Sequence, residues 1–279
     1  MTLKIIDVSS HQEHYKVGTY GEDGVIIKAT QGGAYTNPYM NEVARQAIAK
    51  SMPYGLYHYA GGRTAKIEAD YFVNCVAPYF KEENKPLLIL DWEAYQNSAY
   101  GHGEWCDEFV NRVNERLGVT CVIYGNSGDV SQMSNSIKSR CSLWLAGYPY
   151  QNDIGWNVPA FPYSHCGFSH LIGWQYSSNP IDRSVFYVSR EEWMHQIQIE
   201  KNIDLEEIEE MKIIQLTSDG NYYGKRYPKN SCFVITGDSI RYIERPDTLT
   251  VLKKLGTKQV ALNAGEFLLF IQDMDLKIS

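Results

Sequence analysis

No apolar stretch in the sequence approaches the roughly 18 consecutive residues that a membrane-spanning helix needs, so bilayer insertion is not expected. The six cysteines (Cys75, Cys106, Cys121, Cys141, Cys166, Cys232) form no CxxC pair and keep no ligand spacing with histidine. A metal site is therefore not expected, and free thiols are favoured over disulfides. The opening MTLKIIDVSS has neither the basic stretch nor the apolar core of a secretory leader, which gives the expectation of synthesis into a cytoplasm. The glycine-containing loops GGAYTNP (32–38) and AGGR (60–63) lack the GxxxxGK spacing that cradles phosphate. GNSG at 125–128 is one residue short of the GxSxG elbow, so Ser127 is not read as a hydrolase nucleophile. Positive charge is also scarce. The net charge of −7 argues against a nucleic-acid partner.

Aromatic residues are abundant: 21 Tyr, 9 Phe and 6 Trp among 279 residues. Tyr and Trp combine a flat apolar face with a polar tip, which suits sugar binding as well as packing. Strand-length apolar runs recur at 3–9, 24–30, 54–60, 86–93, 119–125, 142–148, 170–176 and 184–188, with helical patterns at 38–51, 64–77 and 104–117 between the early ones. Strands alternating with helices predict βαβ units on a parallel sheet, here an α/β barrel of the TIM type. The stretch 148–188 is too poor in helical pattern to complete the alternation, so the last strands are expected to lack proper helices. After residue 197 the texture changes. Residues 198–210 (QIEKNIDLEEIEE) carry a net charge of −5 and read as an acidic linker. Residues 211–279 carry +3 and consist of short β-forming runs punctuated by Gly220, Gly237, Gly256 and Gly265, which predicts a small all-β domain.

Four carboxylates fall at predicted strand ends: Asp7 on the first strand, Asp91 and Glu93 on the fourth, and Asp182 between the seventh and eighth. In a parallel barrel these ends share one rim. Asp91 and Glu93 are two apart on a strand, so their side chains leave from the same face. Neighbouring carboxylates cannot both ionise freely. One retains its proton and can protonate a leaving oxygen, while the other can stabilise positive charge at a sugar carbon. Aromatic residues cluster at the same ends: Tyr57, Tyr59, Trp92, Tyr124, Trp144, Tyr148, Trp174 and Tyr176. As a set they suggest a groove for sugar rings, although each alone is equally a core residue. His58, between two tyrosines, reads as a structural histidine.

These pieces together resemble glycoside hydrolase family 25, the lysozyme-type N-acetylmuramidases, and most of all the catalytic domains of bacteriophage endolysins. The matching segments are IDVSSHQ (6–12), IIKATQGG (26–33), YGLYHYA (54–60), LILDWE (88–93), VIYGNS (122–127), LWLAGY (143–148) and GWQYSSNPIDRS (173–184), in family order. The resemblance implies a flattened, irregular β/α barrel over 1–197. It also implies cleavage of the β-1,4 bond between N-acetylmuramic acid and N-acetylglucosamine in peptidoglycan, without metal or organic cofactor. Glu93 matches the general acid, and Asp7, Asp91 and Asp182 match the other active-site carboxylates. The substrate-binding expectation falls on Tyr57, Tyr59, Tyr124, Trp144, Tyr148, Trp174 and Tyr176. Whether hydrolysis uses a sugar–Asp91 adduct or the substrate's own acetamido group stays open at this point. So do the readings as a non-catalytic glycan-binding protein or a bacterial autolysin.

By position, 211–279 is expected to bind a wall polysaccharide or another wall ligand. A phage enzyme of this kind would wait in the host cytoplasm until the membrane is permeabilised. The run Glu206-Glu207-Ile208-Glu209-Glu210-Met211 is compatible with purine-rich codons ahead of a start at Met211. A fragment beginning there would oligomerise with the full chain and raise its avidity for a repetitive surface. An acidic linker with an incidental Met is the alternative.

Overall fold

The structure is a computed structural model that describes residues 2–195, 212–222, 225–236, 239–243, 258–262 and 267. The chain divides into two compact units, Met1–Asn202 and Ile203–Ser279. The expected linker 198–210 and Met211 lie outside the described residues.

The first unit runs β1 (Leu3–Val8), β2 (Gly24–Gln31), β3 (Tyr35–Thr36), α1 (Met40–Ala49), β4 (Tyr54–Tyr59), α2 (Ala65–Val76), a 3-10 turn (Ala77–Lys81), β5 (Leu87–Asp91) and α3 (Glu104–Leu117). It continues with β6 (Val122–Asn126), α4 (Ser127–Ser131), α5 (Asn135–Arg140), β7 (Ser142–Ala146), β8 (His170–Ser177), β9 (Arg183–Phe186) and α6 (Arg190–His195). Neighbours in the main sheet run β1-β9-β8-β7-β6-β5-β4-β2-β3, and β1 also pairs with β2, so eight strands close on themselves with β3 appended. The closure is the expected barrel.

The helices form where the apolar positions repeat at helical spacing. In α3 the buried set is Trp105, Cys106, Phe109, Val110, Val113 and Leu117, and the helix ends at Gly118, whose φ of 66° needs the freedom of glycine. Each fully buried Phe or Val on such a face contributes about 2 kcal/mol. The strands are buried on both faces, β5 at every position, because the helices cover one side and the barrel interior fills the other. Inside, glycine admits bulky neighbours: a Cβ on Gly173 would lie 2.7 Å from the Phe186 ring.

The end of the barrel departs from the expected parallel order. β1, β2 and β4 through β8 pair in parallel around the closure, but β9 is antiparallel to both β8 and β1. The physical reason is the connection. Residues 178–182 are too few for a parallel crossover, which takes a dozen or more. Residues 147–169 hold neither helix nor strand, in keeping with the expected loss of late helices.

In the second unit the described strands are β10 (Lys212–Leu216), β11 (Gly220–Tyr222), β12 (Lys225–Tyr227), β13 (Cys232–Thr236), β14 (Ser239–Tyr242) and β15 (Lys258–Leu262). Four form a sheet ordered β14-β13-β10-β15, with β10 and β15 parallel, and β11 pairs with β12. One face packs Ile214, Leu216, Tyr227, Phe233, Ile240 and Phe267, and the other packs Ile213 and Cys232. Alternation along β10 and β13 produces both. Among the described residues no helix is long and apolar enough to cross a membrane.

Candidate active site

The rim formed by the ends of the parallel strands encloses a cavity of about 190 Å³, lined by Asp7, Asp91, Glu93 and Asp182 together with Lys28, Tyr57, Tyr59, Tyr124, Trp144 and Gln175, and by Ser9 and His11 at its lip. All four expected carboxylates therefore meet. Asp7 comes from β1 and Asp91 from the last residue of β5; Glu93 follows two residues on, past the buried Trp92. Asp182 reaches the same rim because β9 is reversed: the residue before an antiparallel strand stands level with the ends of the parallel ones. Its carbonyl accepts from the Asp7 backbone N–H at 3.3 Å.

The electrostatics of the four are shared. Burial first, and then Asp182, hold Asp7 well above the usual carboxylate range, although Gln175 donates to its Oδ2 at 2.8 Å. Burial and the Glu93 charge do the same to Asp91. Asp91 Oδ1 is buried and has no hydrogen-bond partner. Burial raises Glu93, reinforced by Asp129 and opposed by Lys28. Asp182 is pushed up to about 6 by burial and by Glu93. Acids packed this way keep protons at pH values where free carboxylates have lost them.

Lys28, the lysine of the cavity wall, lies 4.6 Å from the Tyr59 ring centroid and donates to Gln31 Oε1 at 2.7 Å. Burial lowers its pKa, while Asp91 and Glu93 act the other way. Gln175 Oε1 accepts from Tyr124 at 2.7 Å and also from the Tyr148 hydroxyl. Neither residue was among the expected site positions. The signals were present: a lone lysine in the apolar run GVIIKAT, and an amide on the inward-facing positions of β8.

The structure brings some of the expected aromatics together and not others. Tyr57, Tyr59, Tyr124 and Trp144 line the cavity. Tyr124 and Trp144 pack against each other in that lining, with centroids 4.4 Å apart and the Trp144 indole donating to Ser184 at 3.0 Å. Tyr148 is not on the wall and touches the site through Gln175. Trp174 and Tyr176 are corrected: both are fully buried on the outer face of β8, packed with Trp156, Phe161 and Tyr163. Side chains alternate along a strand, so Gln175 faces the cavity and its two neighbours cannot. The same alternation turns His58 outward from β4 to bond Thr30 at 2.8 Å and Glu68 at 2.9 Å, as a structural histidine. Tyr95, two residues past Glu93, is 73% exposed and was not anticipated.

With this geometry in place, comparison with known proteins decides the family. The model of glycosyl hydrolases family 25 matches residues 6–185. The chain belongs to that family. It is 30% identical over 200 residues to the lysozyme of Streptococcus phage Cp-7, covering 67% of this chain and 54% of that protein. It is 29% identical over 192 residues to the N,O-diacetylmuramidase of Chalaropsis sp, covering 58% of this chain and 90% of that one. The chain thus spans about half the length of the phage relatives it matches, 54% in each case. Among solved structures, the muramidase from Acremonium alcalophilum shares the fold over 70% of this chain and 98% of its own, with TM-score 0.56 and 22% identity. The CTP1L endolysin, described as regulated by a secondary translation product, is similar over 92% of this chain and 81% of its own, with TM-score 0.53 and 21% identity.

Proposed function

We propose that this family 25 chain is a peptidoglycan hydrolase, an N-acetylmuramidase that cuts the β-1,4 bond between N-acetylmuramic acid and N-acetylglucosamine. The observation that carries this reading is the convergence of Asp7, Asp91, Glu93 and Asp182 on one cavity, two of them buried and two half-buried. Glu93, kept protonated by burial and Asp129, donates its proton to the glycosidic oxygen as the bond breaks. Asp91, with an unpartnered oxygen and Lys28 beside it, meets the positive charge that develops at the sugar carbon. Glu93, now ionised, takes a proton from the incoming water, whose oxygen closes the new bond to carbon and regenerates the acid. Asp7, fixed by Gln175, and Asp182 flank this pair. Tyr57, Tyr59, Tyr124 and Trp144 supply the walls that hold the sugar, and Tyr148 orients Gln175. Support from relatives lies in their names, a phage lysozyme and an N,O-diacetylmuramidase.

The biological setting fits a phage endolysin that lyses a Gram-positive host, held in the cytoplasm until the membrane is permeabilised and then acting at the wall. Residues 211–279 bind a wall polysaccharide or another wall ligand in this reading. A second product starting at Met211 then associates with the full chain; the regulation described for the CTP1L endolysin supports it. Replacing the Met211 codon by Leu removes that product. A short species that persists, or that never forms in the wild type, refutes the internal start.

The deciding experiment is mass spectrometry of borohydride-reduced fragments from purified peptidoglycan, comparing the wild type with Glu93→Gln. New reducing ends on N-acetylmuramic acid, at least about 10³-fold fewer in the variant, are expected. Reducing ends on N-acetylglucosamine identify a glucosaminidase instead, and freed peptide stems an amidase or peptidase. Wall binding with no fragments from several wall types makes the barrel a glycan-binding protein.

A further inference from the structure

Two charged groups outside the four-carboxylate set act on Glu93. One is Lys28 from β2, in the cavity wall. The other is Asp129, the third residue of the short helix α4, which lines no part of the cavity. Asp129 is 3% exposed and tightly held. Its Oδ2 accepts from the Asn126 backbone N–H at 2.9 Å, half of a capping box, and its Oδ1 accepts from the Tyr100 hydroxyl at 2.6 Å. Tyr100 in turn stacks on Trp92, with centroids 6.0 Å apart. The packing also ties Asp129 to the backbone beside Glu93. A Cβ on Gly125 would lie 2.9 Å from the Asp129 Cβ and 2.9 Å from the Trp92 carbonyl oxygen, so these groups approach each other across a glycine. The reach back to Asn126 fixes the Asp129 carboxylate at the third position of α4, where the helix end also favours negative charge.

We propose that Asp129 is a positioning residue that acts through Glu93: a fixed negative charge behind the general acid that keeps the Glu93 carboxyl in its acid form, with Lys28 as the opposing charge. Two donors fix the Asp129 side chain in place, and two like charges near one site disfavour ionisation of the second. After burial, Asp129 is what raises Glu93 most, and Lys28 is what lowers it most. The other groups facing Glu93 are Asp91 at the end of β5, Asp7 on β1, Asp182 before β9 and the Tyr59 hydroxyl from β4. Tyr57, Tyr124 and Tyr148 are raised above the ordinary tyrosine value by burial and stay neutral while carboxylates titrate. His11 stands at the exposed lip. Asp129 is set apart from the other acids because it never competes for substrate.

This inference rests on Glu93 being the general acid, and the test separates the two claims. Asp129→Asn keeps an acceptor for the Asn126 N–H, and its amide can donate to a reoriented Tyr100 hydroxyl. In this variant the alkaline limb of the kcat profile is expected to move down by about one pH unit. Lys28→Gln moves the same limb up, and Lys28→Arg restores it. Independently of turnover, carbon-13 NMR titration of the Glu93 carboxyl should show the same two opposite displacements. Unchanged Glu93 titration in a folded Asp129→Asn protein overturns the inference. Glu93 titration that moves as expected while Glu93→Gln still cleaves peptidoglycan supports the electrostatic coupling, and refutes the assignment of Glu93 as the acid.

Discussion

Strand β4 carries two buried acid environments on its two faces. Outward, His58 meets Glu68, whose carboxylate also accepts from the Gly61 and Arg63 backbone N–H groups at 2.9 and 2.6 Å. Inward, Tyr57 and Tyr59 border a cavity where Asp91 Oδ1 is buried without a partner and four carboxylates repel one another. Both places hold a carboxylate under 10% exposed, Glu68 at 0% and Asp91 at 6%. The difference is satisfaction. An acid whose oxygens are all bonded holds the fold together, whereas one left unpartnered in a cavity is a cost to stability that chemistry can use. One step along a strand separates the two.

The comparison breaks most visibly at Asp91. Asp91→Asn is expected to lower peptidoglycan cleavage by about 10³-fold, yet to raise the melting temperature at alkaline pH, because the amide carries none of the charge that burial and Glu93 disfavour at Asp91. Turbidity assays and calorimetry on one preparation measure both effects. A lower melting temperature in this variant would show that Asp91 is structural after all. Glu68→Ala is expected to do the reverse. Leaving His58 Nε2 and two backbone N–H groups without their acceptor costs about 3 kcal/mol, read from the denaturant midpoint, while activity per folded molecule stays within about twofold of wild type.

The pH dependence of stability distinguishes the two faces next. Asp182 titrates at about 6 in the folded chain against an ordinary value of 3.8. Its burial therefore costs nothing below its unfolded value, and stability falls as pH rises through about 6. His58 is lowered by burial, so the folded chain binds fewer protons there than the unfolded one. Stability is lost on that face as pH falls through the unfolded histidine range. Asp182→Asn is expected to raise the melting temperature by about 3 °C at pH 7, with the gain fading towards pH 4. A gain that is equal at both values would attribute the effect to something other than the Asp182 charge.

Much of this was legible in the sequence. Continuous apolar runs and amphipathic helices gave the barrel, and DWE after a buried run placed Asp91 and Glu93 on one rim. What was lost was lost to parity. HLIGWQY has aromatics at 174 and 176, and both looked like rim residues; only register tells that 173 and 175 face inward. The reversal of β9 was equally hidden: Asp182 stands at the rim because the chain folds back before β9, and only the brevity of 178–182 hints at it. Asp129 could not be read at all, because its influence on Glu93 depends on a glycine that lets α4 approach β5. The change of texture after 197 lies close to the division at Asn202/Ile203.

The smallest expected effect tests parity itself, on neighbouring residues of β8 and their partners. Tyr124→Phe removes the hydroxyl that donates to Gln175 Oε1 at 2.7 Å. The amide is then held on that side by Tyr148 alone and presents its N–H₂ to Asp7 less firmly. Activity should fall about tenfold with little change in melting temperature, since one hydrogen bond contributes about 1 kcal/mol. Trp174→Phe removes the indole N–H that donates to the Gly147 carbonyl at 2.8 Å, and it thins the packing against Phe161 and Tyr163. It should cost about 2 kcal/mol of stability and leave kcat within about twofold of wild type, because its side chain never faces the sugar. If Trp174→Phe lowers activity more than Tyr124→Phe does at a temperature where both are folded, the outward face of β8 has a part in the site that alternation denies it.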